Sequence, residues 1–287
     1  MAQIIVCCAQ KGGCAKTVTV HNLSYALSRM GKRVLAVDFD TQANLTTCFG
    51  FNDPDDVPVT IADLMDAQIK ELDAPAKAEY IQHCNGVDLI ASGSYLSAVS
   101  DSMHLEMGSE SFLSSILAPL RSDYDYIIVD TGPKLDNLSI NALVAADQLI
   151  IPVNPQFLST AGLDKLHGTI RKIKRRLNPD MKIAGILLTM CETRTNLCKI
   201  ICQQIREEYE TAIPVFETAI PMTVKVGEAV YYSRPVLDYA PNCSASMAYK
   251  DFAKELDKQM NPNHIVPIQL HKLVLPVNEN RKAVKAL

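Results

Sequence analysis

The chain begins with a short apolar run that passes through a glycine-bearing turn directly into a helical pattern. The apolar run covers residues 4–9, the turn reads KGGCAKT over residues 11–17, and the helical pattern extends over residues 17–30. Because a strand feeding a helix across a short turn is the first half of a βαβ unit, this junction restricts the fold more than any other segment. The exposed N–H groups and partial positive charge at such a helix start also favour a bound phosphate.

Further apolar segments recur along the chain with helix-like segments between them. The strand candidates after the first are residues 34–38, 87–91, 126–130, 148–153 and 182–189. This alternation predicts an α/β fold with a doubly wound, mostly parallel sheet flanked by helices, whose ligand lies at the carboxyl ends of the strands. We expect residues 1–260 to form a single domain and residues 261–287 to form a C-terminal tail.

The turn supplies the candidate nucleotide-binding residues. Lys16 adds a formal positive charge, Thr17 offers a hydroxyl to Mg²⁺, and glycines let the backbone curl around an anion. The pattern nevertheless departs from G-x-x-x-x-G-K-[ST], because Gln10 and Ala15 stand where its two glycines belong. The positions that we assign to nucleotide binding here are Lys11, Gly12, Gly13, Cys14, Ala15, Lys16, Thr17 and Val18.

Composition and charge indicate where the protein is expected to be located and what it is expected to bind. No apolar stretch approaches the roughly 18 to 20 residues of a membrane span, and no secretory leader is apparent, so we expect a cytoplasmic protein without stable membrane association. Residues 1–159 hold 9 Lys and Arg against 19 Asp and Glu, whereas residues 160–287 hold 19 against 13. The second part of the chain can therefore present a basic face to nucleic acid, although the net charge is −4.

The nine cysteines predict neither disulfides nor a metal site. No C-x-x-C is present, and Cys198 and Cys202 lie one helical turn apart without nearby histidines. We expect these cysteines to be small buried apolar residues.

Three aspartates follow apolar strands and are candidates for metal and water chemistry. Asp38 and Asp40 are two residues apart, so they project from the same face of a strand, and paired carboxylates there can order Mg²⁺ and a water. A solvated acidic turn is the alternative. Asp130 ends the strand of residues 126–130, as the aspartate of a Walker B segment does.

Taken together, these segments resemble the ParA/MinD group of ATPases, and the chromosome and plasmid partition ATPases of the ParA family in particular. The turn is similar to the deviant Walker A motif KGGxxK[ST], and residues 37–44 are similar to VDxDPQxN, with Thr41 in place of the usual proline and Ala43 in place of a frequent glycine. Three later blocks match in order, at residues 141–153, 187–197 and 220–235.

The resemblance implies a P-loop ATPase that uses ATP and Mg²⁺ and hydrolyses ATP slowly. Two protomers would enclose two ATP molecules, with Lys11 reaching the nucleotide of the other subunit. The implied catalytic residues are Lys11, Lys16 and Asp40, of which Asp40 orients or activates the attacking water. The implied magnesium ligands and supports are Thr17, Asp38 and Asp130. Met190 and Pro221 lie in segments that border the adenine in relatives, and a purely structural role in the core is the alternative for both.

The same resemblance implies non-specific DNA binding, a ParB-like centromere-binding partner and association with the nucleoid. Arg194 and Lys225 match basic positions of the family, whereas Met222 stands where an arginine is usual. Five basic residues within residues 171–176 form a further candidate for phosphate contacts, with a solvated helix face as the alternative.

Three other functions share parts of this pattern. A MinD-like membrane-associated positioning ATPase would need an amphipathic C-terminal helix, which Pro267 and Pro276 disfavour. A relative of the nitrogenase iron protein would need cysteines after Asp130, where the sequence has none nearby. A binding module without hydrolysis would follow if Ala15 occupied a backbone conformation that only glycine tolerates.

Overall fold

The computed structural model describes residues 1–155, 160–209 and 212–260, and these residues form one eight-stranded sheet with helices on both faces. The strands are β1 Gln3–Cys7, β2 Val34–Phe39, β3 Ile81–Cys84, β4 Val87–Ile90, β5 Tyr126–Thr131, β6 Gln148–Val153, β7 Lys182–Cys191 and β8 Val215–Pro221. The strand order is β3-β4-β2-β5-β1-β6-β7-β8; β3 runs antiparallel to β4, and every other neighbouring pair is parallel. The predicted doubly wound α/β fold is confirmed.

Two apolar cores lie on the two faces of the sheet. The helices are α1 Lys16–Arg29, α2 Asn44–Cys48, α3 Ile61–Ile69, α4 Lys77–Tyr80, α5 Leu96–Ser102, α6 Phe112–Leu117, α7 Asn137–Ala145, α8 Thr160–Arg176, α9 Asn196–Tyr209, α10 Val224–Tyr231, α11 Val236–Tyr239 and α12 Ser244–Met260. One core is shared with α3 and α5 to α9, and the other with α1, α2 and α10 to α12. In the described residues, no helix is both long enough and apolar enough to cross a membrane.

The carboxyl-terminal ends of three central strands, β1, β2 and β5, lie side by side. Strands β2 and β5 are buried along their whole length, which is why they read as continuous apolar runs. In the parallel register Asp130 pairs with Cys7 of β1 and with Asp38 of β2. The phosphate-binding turn, which leaves β1, therefore starts beside both aspartates.

Strands β3 and β8 were not predicted, and both lie at sheet edges. An edge strand is partly exposed, so it lacks the continuous apolar run that marks a central strand. Between β3 and β4, Asn85 and Gly86 both have positive φ, 51° and 84°, as the two central residues of a tight hairpin turn require. The predicted tail of residues 261–287 lies outside the described residues.

Candidate nucleotide and magnesium site

The turn between β1 and α1 is open at its glycines and strained at its alanine. Among the described residues, no atom lies within 4 Å of the place where a Cβ would stand on Gly12 or Gly13, which leaves room for an anion. Gly13 has φ 71°, and Ala15, the residue just before α1, has φ 60° and ψ 33°. Ala15 thus adopts the left-handed conformation that glycine tolerates and alanine rarely takes. The turn therefore holds at Ala15 a backbone conformation that glycine adopts without strain, although alanine stands there.

Three hydrogen bonds hold this turn in place. The buried Cys14 thiol donates to the Lys11 carbonyl at 3.1 Å, and the Thr189 hydroxyl donates to the Cys14 carbonyl at 3.0 Å. The Cys7 thiol reaches the Lys16 carbonyl at 3.8 Å. Sequence reasoning placed Cys14 in the loop but assigned no role to Thr189, because 175 residues separate the two partners along the chain.

The two lysines of the turn differ in burial. Lys11 is exposed, whereas Lys16 keeps only 8% of its surface accessible. Within the described part of the chain, neither ammonium group lies within ion-pair distance of a carboxylate. A buried cation without a close counter-ion at a helix start is suited to a phosphate.

Asp38 and Asp40 are fixed by a hydrogen-bond network. Asp38 is fully buried and accepts bonds from the Thr46 amide and hydroxyl, each at 2.7 Å. Burial raises the pKa of Asp38 to about 6, although these two bonds act in the opposite direction. Asp40 accepts a bond from the Gln42 amide at 3.1 Å, and the Ser92 hydroxyl donates to its main-chain carbonyl at 2.8 Å. Both carboxylates are therefore held in defined positions beside the loop.

Asp130 is a fully buried acid whose two carboxylate oxygens make no hydrogen bond of ordinary distance and angle among the described residues, although the Thr17 hydroxyl lies nearby. Burial raises its pKa well above the ordinary value, and the neighbouring Asp38 carboxylate raises it further, whereas the nearby Thr17 hydroxyl and the Lys16 charge lower it. An unpaired buried carboxylate is costly unless a cation meets it. With Thr17 and Asp38 it forms an oxygen-rich set that fits Mg²⁺.

Gly132 lies directly against the Asp40 side chain. A Cβ on Gly132 would stand 3.2 Å from Asp40 Oδ1, which is tighter than an ordinary contact. The absence of a side chain at Gly132 therefore leaves the Asp40 carboxylate its space.

The two residues predicted to border the adenine end neighbouring strands. Met190 lies near the end of β7 with φ 53°, Pro221 ends β8, and the strand register pairs Pro221 with Cys191. Both residues are half-buried. Thr189, which precedes Met190, bonds to the phosphate-binding turn, so this end of β7 lies beside it.

The predicted DNA-contacting residues have different surroundings. Arg194 is exposed in the turn between β7 and α9. Lys225 is also exposed, but its ammonium group lies 2.7 Å from the Glu228 carboxylate. On α8, Lys174 donates to the Met181 carbonyl at 2.7 Å, whereas the other basic residues of the cluster are exposed. Those exposed residues are Arg171, Lys172, Arg175 and Arg176.

Comparison with known proteins shows which family the chain is similar to. A family model described as an AAA domain matches residues 2–183. The chain is 34% identical over 258 residues to the sporulation initiation inhibitor protein Soj of Bacillus subtilis, covering 89% of this chain and 98% of Soj. It is 33% identical over 264 residues to the chromosome partitioning protein ParA of Myxococcus xanthus, covering 91% of this chain and 90% of that protein.

A solved structure agrees on fold and ligand. Cobyrinic acid a,c-diamide synthase from Mycobacterium smegmatis, solved with bound ADP and magnesium, superposes with a TM-score of 0.79 at 29% identity, covering 93% of this chain and 99% of that one. Its name describes a different activity from those of the partition proteins. The bound ADP and magnesium are consistent with the phosphate-binding turn and the buried aspartates described above.

Proposed function

The chain belongs to the ParA and Soj family of P-loop ATPases, which use ATP and Mg²⁺, and from this premise we propose that it segregates DNA through an ATP-dependent cycle. In the proposed cycle, ATP binding joins two protomers, the dimer binds DNA non-specifically, and slow, partner-stimulated hydrolysis releases it. The observation that carries this proposal is the match to Soj and ParA over at least nine tenths of their length. The basic balance of residues 160–287 supports the DNA-binding step.

The proposed roles follow from where the side chains lie. Mg²⁺ bound with ATP neutralises charge on the phosphate oxygens. Thr17, Asp38 and Asp130 would hold the ion, since the half-buried Thr17 and the buried Asp38 both lie near the buried Asp130. Lys16 would bind phosphate at the start of α1, and Asp40, fixed by the Gln42 amide, would orient the attacking water.

Lys11 is proposed to act on the nucleotide of the partner subunit. Its side chain is exposed while its carbonyl is held by Cys14, so the backbone is positioned and the ammonium group remains free to reach outward. We expect Lys11→Ala to prevent ATP-dependent dimerisation, measured by light scattering with a non-hydrolysed ATP analogue. Lys258→Ala, which removes an exposed lysine on α12, is the matched control. A Lys11→Ala protein that still dimerises would contradict this role.

Binding of a non-specific DNA fragment, followed by mobility shift at low salt, tests the DNA step. We expect binding with ATP and little binding with ADP; equal affinity in both states would refute the nucleotide switch. Arg194→Ala should weaken binding and reduce the slope of log affinity against log salt concentration by about 1, as expected for one lost phosphate contact. Lys225→Ala should have a smaller effect, because Glu228 already neutralises that ammonium group.

Two further measurements separate the proposed function from its alternatives. Asp40→Ala should abolish hydrolysis while ATP binding persists, and unchanged turnover would remove Asp40 from the mechanism. A MinD-like protein would instead sediment with anionic vesicles in an ATP-dependent manner. We expect no such sedimentation.

A further inference from the structure

Three cysteine thiols meet at the end of β7, directly after Met190 and outside the phosphate-binding turn and the three aspartates. Cys191 is the last residue of β7, and Cys198 and Cys202 lie in the first two turns of α9. The three Sγ atoms all lie within 4.8 Å of one another, and those of Cys198 and Cys202 are 3.9 Å apart. No metal site was predicted here from the sequence, because the spacing of Cys198 and Cys202 on the helix does not reveal that Cys191 of the strand lies beside them.

The spacing of the sulfur atoms matches what a metal ion requires. A zinc–sulfur bond of about 2.3 Å places the sulfur atoms of a tetrahedral site ~3.8 Å apart. The Cys198–Cys202 pair already has this separation, and since no two of the sulfur atoms are more than 4.8 Å apart, the remaining pairs need to close by at most about 1 Å. Side-chain rotation about χ1 is sufficient for a closure of this size.

The surroundings suit a soft cation. Cys191 and Cys198 are buried, whereas Cys202 is half-buried, so one side of the cluster is open to an entering ion and to a fourth ligand such as water. Thiolates select zinc and other soft ions over Mg²⁺, which prefers oxygen. Three thiolates with a divalent ion carry one net negative charge. The positive charge of the nearby Arg206 guanidinium favours the thiolate form of Cys202.

We propose that Cys191, Cys198 and Cys202 form a binding site for one soft divalent metal ion, of which zinc is the example. Binding replaces three S–H bonds by three metal–sulfur bonds and releases three protons, so it needs no oxidant or reductant. The ion joins the end of β7 to the start of α9 and thereby closes the turn of residues 192–195 into a ring. This site does not depend on the proposed DNA function.

The ring has two structural consequences. The turn that it closes carries the exposed Arg194, so the bound ion restricts the backbone that presents this side chain. Cys191, at the other end of the ring, lies two residues after Thr189, whose hydroxyl donates a hydrogen bond to the Cys14 carbonyl of the phosphate-binding turn. Fixing the end of β7 therefore also supports the loop that holds ATP.

Titration of the reduced, chelator-treated full-length protein with Zn²⁺ and with Cd²⁺ tests the site. We expect uptake of one ion per chain, with a thiolate-to-cadmium charge-transfer band in the ultraviolet. Cys202→Ser, at the half-buried position, and Cys198→Ser should weaken binding by at least tenfold. Cys84→Ser, a half-buried cysteine of β3 outside the cluster, is the matched control and should bind as the unmodified protein does.

A second measurement uses the unmodified chain and so does not depend on how the variants fold. Bound Zn²⁺ should protect these three cysteines, and not Cys84, from alkylation, as read by peptide mass spectrometry. The proposal is overturned if no stoichiometric uptake occurs, if the cluster variants bind metal as well as Cys84→Ser does, or if alkylation is unaffected by Zn²⁺. A Cys198–Cys202 disulfide that forms in preference to metal binding would likewise overturn it.

Discussion

Replacing Ala15 by glycine should stabilise the protein, which is unusual for a change to glycine next to a helix. With φ 60° and ψ 33°, Ala15 carries the left-handed conformation that costs an L-residue about 1–2 kcal/mol. Glycine removes this cost but makes the unfolded chain more flexible, which offsets about 0.4–1 kcal/mol. The net expectation for Ala15→Gly is therefore a gain of up to about 1.5 kcal/mol in the free energy of unfolding.

Urea denaturation of the nucleotide-free protein, with m-values compared, measures this change. Ala43→Gly is a positive control, because Ala43 precedes α2 with φ 49° and ψ 32° and should respond in the same direction. Ala98→Gly on the exposed face of α5 is the opposite control and should destabilise by about 1 kcal/mol, as glycine does inside helices. If Ala15→Gly destabilises as Ala98→Gly does, the left-handed strain is not stored at Ala15. Since the loop keeps its shape with alanine, we also expect the unmodified protein to hydrolyse ATP.

Three other predictions concern the site and the core. Gly132→Ala places a Cβ 3.2 Å from Asp40 Oδ1, so kcat should fall several-fold because the Asp40 carboxylate has to move. The Kd for ATP, measured by fluorescent nucleotide titration, should stay unchanged. An unaltered kcat would show that Asp40 tolerates the shift. The affinity for Mg²⁺ in the presence of ATP should fall as the pH is lowered through about 6, because Asp38 then keeps its proton; isothermal titration at several pH values would show a flat profile if Asp38 were not involved. Burial lowers the pKa of His21 to about 4 from 6.5, so only the unfolded chain binds this proton between those values. The free energy of unfolding should therefore fall by about 3 kcal/mol in total as pH drops from above 6.5 to below 4. If urea titrations of a His21→Leu variant show the same dependence of the free energy of unfolding on pH, His21 is not its cause.

The sequence predicts the central strands and the proximity of the strand-end aspartates more closely than the edge strands and the fine geometry. Strand β6 was predicted with its observed bounds, and β2 and β5 differ by one residue, because a strand buried on both faces leaves a continuous apolar run. The proximity of Asp38 to Asp130 follows from parallel strands ending at one edge. The left-handed φ of Ala15 could not be predicted, since alanine itself disfavours it and the surrounding fold imposes it.

The contacts that depend on tertiary packing also escaped prediction. The Thr189 bond to Cys14 joins segments that are distant along the chain, and no local pattern marks such a pair. Cys191 meets Cys198 and Cys202 only because α9 folds back against the end of β7. Spacing rules for metal ligands recognise pairs on one local element, whereas this cluster is divided between a strand and a helix.

Because of the buried aspartates, the free energy of unfolding is smaller for the protein without ligand than for the ligand-bound protein. Raising the pKa of Asp38 to about 6 from 3.8 means that its charged form costs about 3 kcal/mol of stability at neutral pH, and Asp130 adds a cost of the same sign. A ligand that binds only the folded chain recovers stability in proportion to the logarithm of its concentration over Kd. Nucleotide and Mg²⁺ bound together at this site are therefore expected to raise the free energy of unfolding and to protect the chain from proteases that cut its unfolded form.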